Sequence, residues 1–354
     1  MLHFEPFDGT VEEWDAVLET FPDREVFQTS AWLRFLAESQ GGTLVLAVLK
    51  DGDDAVGNFA GLIVRKFGLR ILGSPFIGWT TERMGIRLRP GVPKRAAVEA
   101  LMHYAFQDLK CVHLELADMN ITPDDVEGLG FENRVGRGYI VDLTPGEETV
   151  LHNMSAKSAR YSIRKAASLG VVIEEARDEE FAADYQAQMQ EVFANQGLVP
   201  TYGKERTLLL MRHLLPTGNL LLLRARSPDG RCIATGIFLG MHRRAYFWGN
   251  ASWNKDRHFC PNEAIHWYAM RYWKRRGMES YDLCGAGAYK RKYGTKPFEN
   301  YFLSKSNRTW IALARKLAFK GFRLKQRFLG MWKGKHSDAS KDDDSDNGST
   351  GGQS

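Results

Sequence analysis

Residues 219–252 read NLLLLRARSPDGRCIATGIFLGMHRRAYFWGNAS: an apolar strand, a turn at Asp229-Gly230, a second strand, a short basic turn and a third strand. Residues 43–80, TLVLAVLKDGDDAVGNFAGLIVRKFGLRILGSPFIGWT, follow the same order, with their own Asp-Gly turn at Asp51-Gly52. Asp-Gly favours tight hairpin turns because glycine reaches positive φ without steric cost. A helix and a strand follow each meander: KRAAVEALMHYAFQDL then CVHLELA in the first copy, NEAIHWYAMRYWKRR then SYDLCG in the second. In the second of these helices Ile265, Tyr268, Ala269 and Tyr272 share one face, and Gly277 ends it. Two copies of meander, helix and strand predict a duplicated α+β unit, placed at residues 1–145 and 146–307.

Between the copies, Thr144, Pro145 and Glu147 read as N-cap, first-turn proline and reciprocal acid of a helix running over 146–169 and ended by Gly170. Within it Lys157, Arg160 and Arg164 fall on one face, serving either as a solvated surface or as a phosphate contact. Residues 178–215 read as helical, interrupted by GLVPTYG, whose Tyr202 lines a pocket or covers the core. Residues 308–336 read as a basic amphipathic helix suited to docking on the protein's own body, to RNA, or to peripheral contact with an anionic membrane through 308–335. Residues 337–354, an acidic low-complexity tail, are expected to be disordered.

The chain has 354 residues, 44% of them apolar, and a net charge of +5, enough for a sizeable core and about two domains. Its four widely spaced cysteines form neither a zinc ribbon nor a disulfide framework, which points to a reducing compartment. With no signal-like start and no apolar run of membrane-spanning length, the expectation is a cytoplasmic protein, possible membrane contact being peripheral.

Residues 284–298, CGAGAYKRKYGTKPF, set small residues against a cluster of cations. They read as a phosphate cradle, as a lysine placed at the rim of a cleft, or as a plain tight turn. The nucleotide-binding patterns fail here: GxxxxGK[ST] is absent and GAGAYKR lacks the third glycine of a dinucleotide loop. His258, Cys260 and His266 lack a fourth ligand at convincing spacing, so no metal is expected. Tyr246 and Trp248 point the same way from one strand, toward the core or a shared cleft wall.

Three segments together, MSAKSARYSIRKAASLGVVI, the meander ending YFWGNAS, and CPNEAIHWYAMRYWKRRGMESYDLCGAGAYKRKYG, resemble the FemABX-type aminoacyl- and acyltransferases of the GNAT superfamily over roughly residues 25–305. The resemblance implies tandem GNAT-like units, each a mixed, mostly antiparallel sheet flanked by helices. It also implies transfer of an aminoacyl or acyl group to an amine of a cell-envelope or polysaccharide precursor. The family's aromatic-lysine pair falls on Tyr289 and Lys290, and its Gln-x-x-x-Trp segment on Gln28 to Trp32, with Leu36 where a basic residue is expected. Trp32, Lys157, Arg160, Arg164, Tyr202, Tyr246 and Trp248 are then the expected substrate contacts, with Asp282 as one acceptor for the amine's proton.

The resemblance implies aminoacyl-tRNA or acyl-CoA as the donor, with no tightly bound cofactor expected. An ordinary CoA grip, Q/R-x-x-G-x-G/A, is replaced by WNKDRHFCPNEA. The alternatives are an acyl-CoA-dependent N-acyltransferase on the same fold and a non-catalytic protein binding RNA or a membrane surface.

Overall fold

The fold, a computed structural model, describes residues 1–311 together with Arg315 and Gly321. The predicted tail 337–354 and most of the predicted basic helix 308–336 lie outside those residues.

The first half runs β1 (Leu2–Pro6), α1 (Trp14–Glu19), α2 (Ser30–Gln40), β2 (Thr43–Asp51), β3 (Asp54–Lys66), β4 (Leu69–Ser74), β5 (Ile86–Leu88), α3 (Lys94–His103), β6 (His113–Ala117) and β7 (Glu132–Asp142). After α4 (Glu147–His152) and α5 (Tyr161–Ser168) the plan repeats: β8 (Val172–Ala176), α6 (Glu180–Ala194), α7 (Lys204–Leu214), β9 (Leu220–Arg226), β10 (Cys232–Met241), β11 (Arg244–Ser252), α8 (Pro261–Arg275), β12 (Ser280–Asp282) and β13 (Lys296–Ser306). The repeat is thus deeper than the meander, because a strand and two helices precede it in both halves.

All the strands but β5 lie along one path, β1-β2-β3-β4-β6-β13-β7-β12-β11-β10-β9-β8, with β5 paired to β3. The order is palindromic in the repeat, and its centre is exchanged. The last strand of the second half, β13, pairs with β6, while β7 of the first half pairs with β12. β7 and β13 then pair with each other from Glu132↔Ser304 to Ile140↔Lys296. Each half therefore completes the sheet of the other, and the predicted border at 145/146 divides the sequence but not the sheet.

Local chemistry explains the main punctuation. Thr29 caps α2, its hydroxyl accepting from Trp32 N at 3.3 Å, and Gly41 ends the helix at φ +71. Three buried clusters fill the fold, each drawing on both halves; in the one that mixes them most, Trp32, Phe35 and Leu36 of α2 join Leu210 and Leu214 of α7 and Ile237 and Tyr246 of the second meander. Burial of that shared apolar surface opposes separation of the halves.

The helix expected over 146–169 is broken. Thr144 turns back to Asp142, its N and Oγ1 donating at 2.9 and 2.6 Å, so Gly146 rather than Thr144 occupies the N-cap. Glu147 reaches across to Arg271 and Arg275 of α8 instead of closing a capping box. At the break Ser155 N donates to Lys292 O at 2.8 Å, a tertiary bond taken in place of a helical one. A wider turn at Ala156–Arg160 leads into α5, and Gly170 follows at φ +72.

Candidate active site

β12 ends at Asp282, and the chain passes through Cys284 and Gly285, both with positive φ, into a tight turn at Ala288–Tyr293. This turn folds Lys290 back under itself. Its ammonium donates to Cys284 O and, at 3.2 Å, to Gly285 O, and the residue is only 6% exposed. Carbonyls hold the group in place but do not cancel its charge, and burial lowers its pKa below the ordinary lysine value, opposed by Cys284, Glu82 and Asp282. With two of three N–H donors engaged, one remains for a ligand. Tyr289 is exposed, its ring centre 5.7 Å from Lys290 Nζ.

The first half supplies the rest of this site from the segment between β4 and β5. Arg83, fully buried, forms an ion pair with Asp282, lies 3.6 Å from Glu25 through Nε, and stacks 5.7 Å from the Tyr246 ring centre. Burial alone lowers its pKa, but Asp282 and Glu25 outweigh that and raise it. Asp282 also accepts from Cys284 N at 2.8 Å, so the arginine braces the loop that holds Lys290. Half-buried Glu82 faces Asp282, Lys290 and the Cys284 thiol; burial, then Asp282, raises its carboxyl pKa. A carboxylate so placed accepts a proton more readily than an exposed one.

A second cluster lies where α2 meets α7. The Arg206 guanidinium sits 3.9 Å from the Tyr202 ring centre and 5.3 Å from those of Phe35 and Trp248. It donates to Trp79 O at 3.0 Å and Thr80 Oγ1 at 2.8 Å, while Nε has no partner. Among the described residues it forms no ion pair, and burial lowers its pKa. A buried cation boxed by aromatics with a vacant donor suits an anionic ligand.

The expected contacts are thus sorted by depth. Tyr202 and Trp248 border the Arg206 box, and Trp248 Nε1 donates to Thr80 O at 2.8 Å. Tyr246 and Trp32 are corrected: both are fully buried, Tyr246 between Phe27 and Arg83 and Trp32 against Phe27 and Phe35, so they support the wall without lining it. Lys157 and Arg164 are exposed and Arg160 half-buried, in the segment that Ser155 ties to Lys292, so this basic run flanks the Lys290 turn. Asp282 is occupied by Arg83, which makes it a brace. Glu82, Arg83 and Arg206 were not legible as site residues. Arg206 had a signal: it lies one turn before Leu210 and two before Leu214, on the apolar stripe of its helix.

At the start of α8, where a pyrophosphate grip is expected, a tight turn at Asn254–Phe259 leads through Cys260 at φ +53 to Pro261 as the first helical residue. Proline lacks one of the free N–H groups of a helix start. Glu263 fills the first turn and pairs with Lys292. Among the described residues no group of histidine, cysteine and acidic side chains is arranged to hold a metal, and no helix is long and apolar enough to cross a membrane.

Residues 155–293 match the family model described as an acetyltransferase (GNAT) domain. Among solved structures, the crystal structure of FemX superposes with a TM-score of 0.68 at 15% identity, over 84% of this chain and 96% of that one. A tandem GNAT protein from the clavulanic acid biosynthesis pathway gives 0.54 at 14% identity, over 86% and 98%. The C-terminal domain of a putative lysylphosphatidylglycerol synthetase from Agrobacterium fabrum gives 0.53 at 13% identity, over 87% and 95%. No curated protein matches by sequence.

Proposed function

We infer that this GNAT-fold acyltransferase, with its acetyltransferase domain at residues 155–293, makes an amide by moving an aminoacyl group from charged tRNA to an amine of an anionic envelope or polysaccharide precursor. The observation that carries the reading is the buried Lys290, held only by carbonyl oxygens and left with one free donor.

When an amine attacks an ester carbonyl, the oxygen becomes an oxyanion. A cation already in place and shielded from water stabilises that state more than the neutral ester. Lys290 needs no reorganisation to donate to it. Glu82 takes the proton released as the C–N bond forms and returns it to the departing ribose oxygen as the C–O bond breaks. Arg83 and Asp282 fix the loop, and Arg206 holds the acceptor's anion.

The start of α8 favours tRNA over acyl-CoA. A pyrophosphate placed there meets Pro261 and the Glu263 carboxylate in place of a row of free amides. Lys157, Arg160 and Arg164, beside the Lys290 turn, offer cations to a nucleic-acid backbone. The GNAT family description favours acyl-CoA as the second reading.

Purified full-length protein incubated with radiolabelled aminoacyl-tRNA or acetyl-CoA, with lipid-linked and nucleotide-linked amino-sugar precursors as acceptors, separates the two. Label passing from tRNA to an acceptor, with a rate that falls steeply with salt, is the expected result. Label passing only from acetyl-CoA overturns the donor assignment, and transfer undiminished by Lys290→Ala overturns the role of the lysine.

A further inference from the structure

A cavity of about 390 Å³ opens between the two halves, lined among others by Arg24, Glu25, Arg87, His242, Arg243 and Arg244. Its volume lies in the range of small-molecule sites, roughly 300–1,000 Å³. Ser280, the first residue of β12, borders it, whereas Lys290 follows the opposite end of that strand, so the cavity lies apart from the Lys290 turn.

The cations around the cavity are incompletely neutralised. Arg243 pairs with Glu279 but is 63% exposed, and Arg244 meets Glu25 at 3.1 Å. Arg87 binds Asp23 at 2.9 Å and Asp118 at 3.1 Å, yet its buried Nε has no partner. Arg24 donates to Phe21 O at 3.1 Å and forms no ion pair among the described residues. His242 is disfavoured as a further cation by burial and then by Arg24 and Arg243. Arg24 and Arg243, both on the lining of the cavity, thus keep donors for a ligand, while Asn120 and Thr144 beside them already donate to Asp23 and Asp142.

One wall of the cavity is the outer end of the charged chain that braces Lys290. Arg244 binds one oxygen of Glu25; the other oxygen lies 3.6 Å from Arg83 Nε; Arg83 holds Asp282; and Asp282 accepts from Cys284 N, whose own carbonyl holds Lys290. Every member between Arg244 and Lys290 is buried or half-buried, so the charges are weakly screened. At 3.6 Å the Glu25–Arg83 contact is longer than a hydrogen bond, and both atoms lack another partner.

We propose that this cavity is a second ligand site for a small oxyanion, such as that of a carboxylate or phosphate ester, bound by Arg24, Arg243 and Arg244, and that its occupancy is passed to the Lys290 loop through Glu25, Arg83 and Asp282. An anion on Arg244 competes with Glu25 for that guanidinium and frees the Glu25 carboxylate to close on Arg83 Nε. The clamp on Asp282 then differs between the empty and filled states, and the two sites are linked in both directions.

The test uses the full chain with inorganic phosphate and, separately, acetate, against chloride at matched ionic strength. Thermal unfolding of the wild type is expected to show a saturable rise in Tm with one oxyanion or both, the stronger identifying the ligand class. Arg24→Gln with Arg243→Gln is expected to raise the half-saturating concentration about tenfold or more, the loss of charge-assisted bonds. Hydrogen exchange in the peptide spanning 282–290 is expected to change on saturation in the wild type, while Glu25→Gln keeps the Tm response and loses the exchange response. A Tm response equal to that of chloride, or one unmoved by the double substitution, overturns the site. Exchange at 282–290 that ignores a bound oxyanion overturns the relay.

Discussion

The two halves end the same strand in opposite ways. After β6 the chain makes a tight turn at Asp124–Val126 in TPDDVEG; after β12 it makes one at Ala288–Tyr293 in AYKRKY. Each strand end is also served by a buried aspartate and arginine, Asp118 with Arg87 in the first half and Asp282 with Arg83 in the second. Asp118 is closed off within its own half, accepting from Ile86 N at 2.7 Å and Asn120 N at 2.6 Å. Asp282 instead takes its arginine from the other half and spends its remaining oxygen on the loop that carries Lys290. The repeat thus gives two strand ends built on the same plan, and they differ in the charge of the turn that follows and in which half supplies the arginine.

Breaking the cross-half clamp is expected to have the largest effect. Arg83→Met leaves Asp282 buried without its cation and Glu25 with Arg244 alone, and should cost about 3–5 kcal/mol of unfolding free energy by urea titration, the range for breaking one side of a buried ion pair. Arg83→Met with Asp282→Leu should recover part of that loss, because the unpaired carboxylate is gone. A single variant as stable as wild type would show that the halves do not depend on this pair.

Next in size is the turn itself. Lys290→Ala should lower turnover by about 10²-fold or more, comparable with removing one oxyanion donor. The mirror substitution, Asp124→Lys on the exposed turn of the first half, should leave turnover unchanged, since no loop of carbonyls is shaped to bury that ammonium. Equal effects from the two would erase the asymmetry. A smaller change is expected at Arg206: truncation to Ala should raise the acceptor KM about tenfold with little effect on kcat, as for a contact made equally in ground and transition states. A fall in kcat at constant KM would move Arg206 from binding to chemistry.

The parts of this asymmetry that are local were legible in the sequence. Asp-Gly turns, apolar runs and one-face spacing disclose the repeat, and glycine followed by Tyr289-Lys290 discloses a lysine at a strand end. The parts that arise between the halves were not. No spacing rule announces that β7 and β13 change places, because the exchange is a pairing between distant strands and leaves no mark on local spacing. Glu82 and Arg83 are about two hundred residues away from Lys290 in sequence, in a segment without hydrophobic periodicity. The broken helix at 153–155 failed for a similar reason: the competing partner of Ser155 N is the Lys292 carbonyl, which no local pattern reveals. The resemblance puts Trp32 among the substrate contacts and strand alternation allows Tyr246 on a cleft wall, yet an aromatic behind a wall has the same sequence signature as one lining it.

The smallest effect tests whether the two halves share acid sensitivity despite their different chemistry. Each buries one histidine whose pKa is pushed down to about 3: His113 on β6, by burial and then Arg315, and His266 on α8, by burial and then Lys292 and Lys290. For both, the folded value lies below the unfolded one, so the unfolded chain binds more protons between them. Their contribution to stability is complete above the ordinary histidine value and is lost as pH falls toward about 3. His266 gives a hydrogen bond partner to Tyr281 OH at 2.8 Å, so His266→Asn should lower stability at neutral pH while flattening the decline between pH about 6.5 and about 3. His113, held at 2.6 Å from Ser306 Oγ on the exchanged strand β13, should behave alike under His113→Asn. Urea midpoints across that pH range decide the matter: parallel flattening in both variants makes acid sensitivity a property of the duplicated sheet, and flattening in His266→Asn alone ties it to the cations of the Lys290 turn.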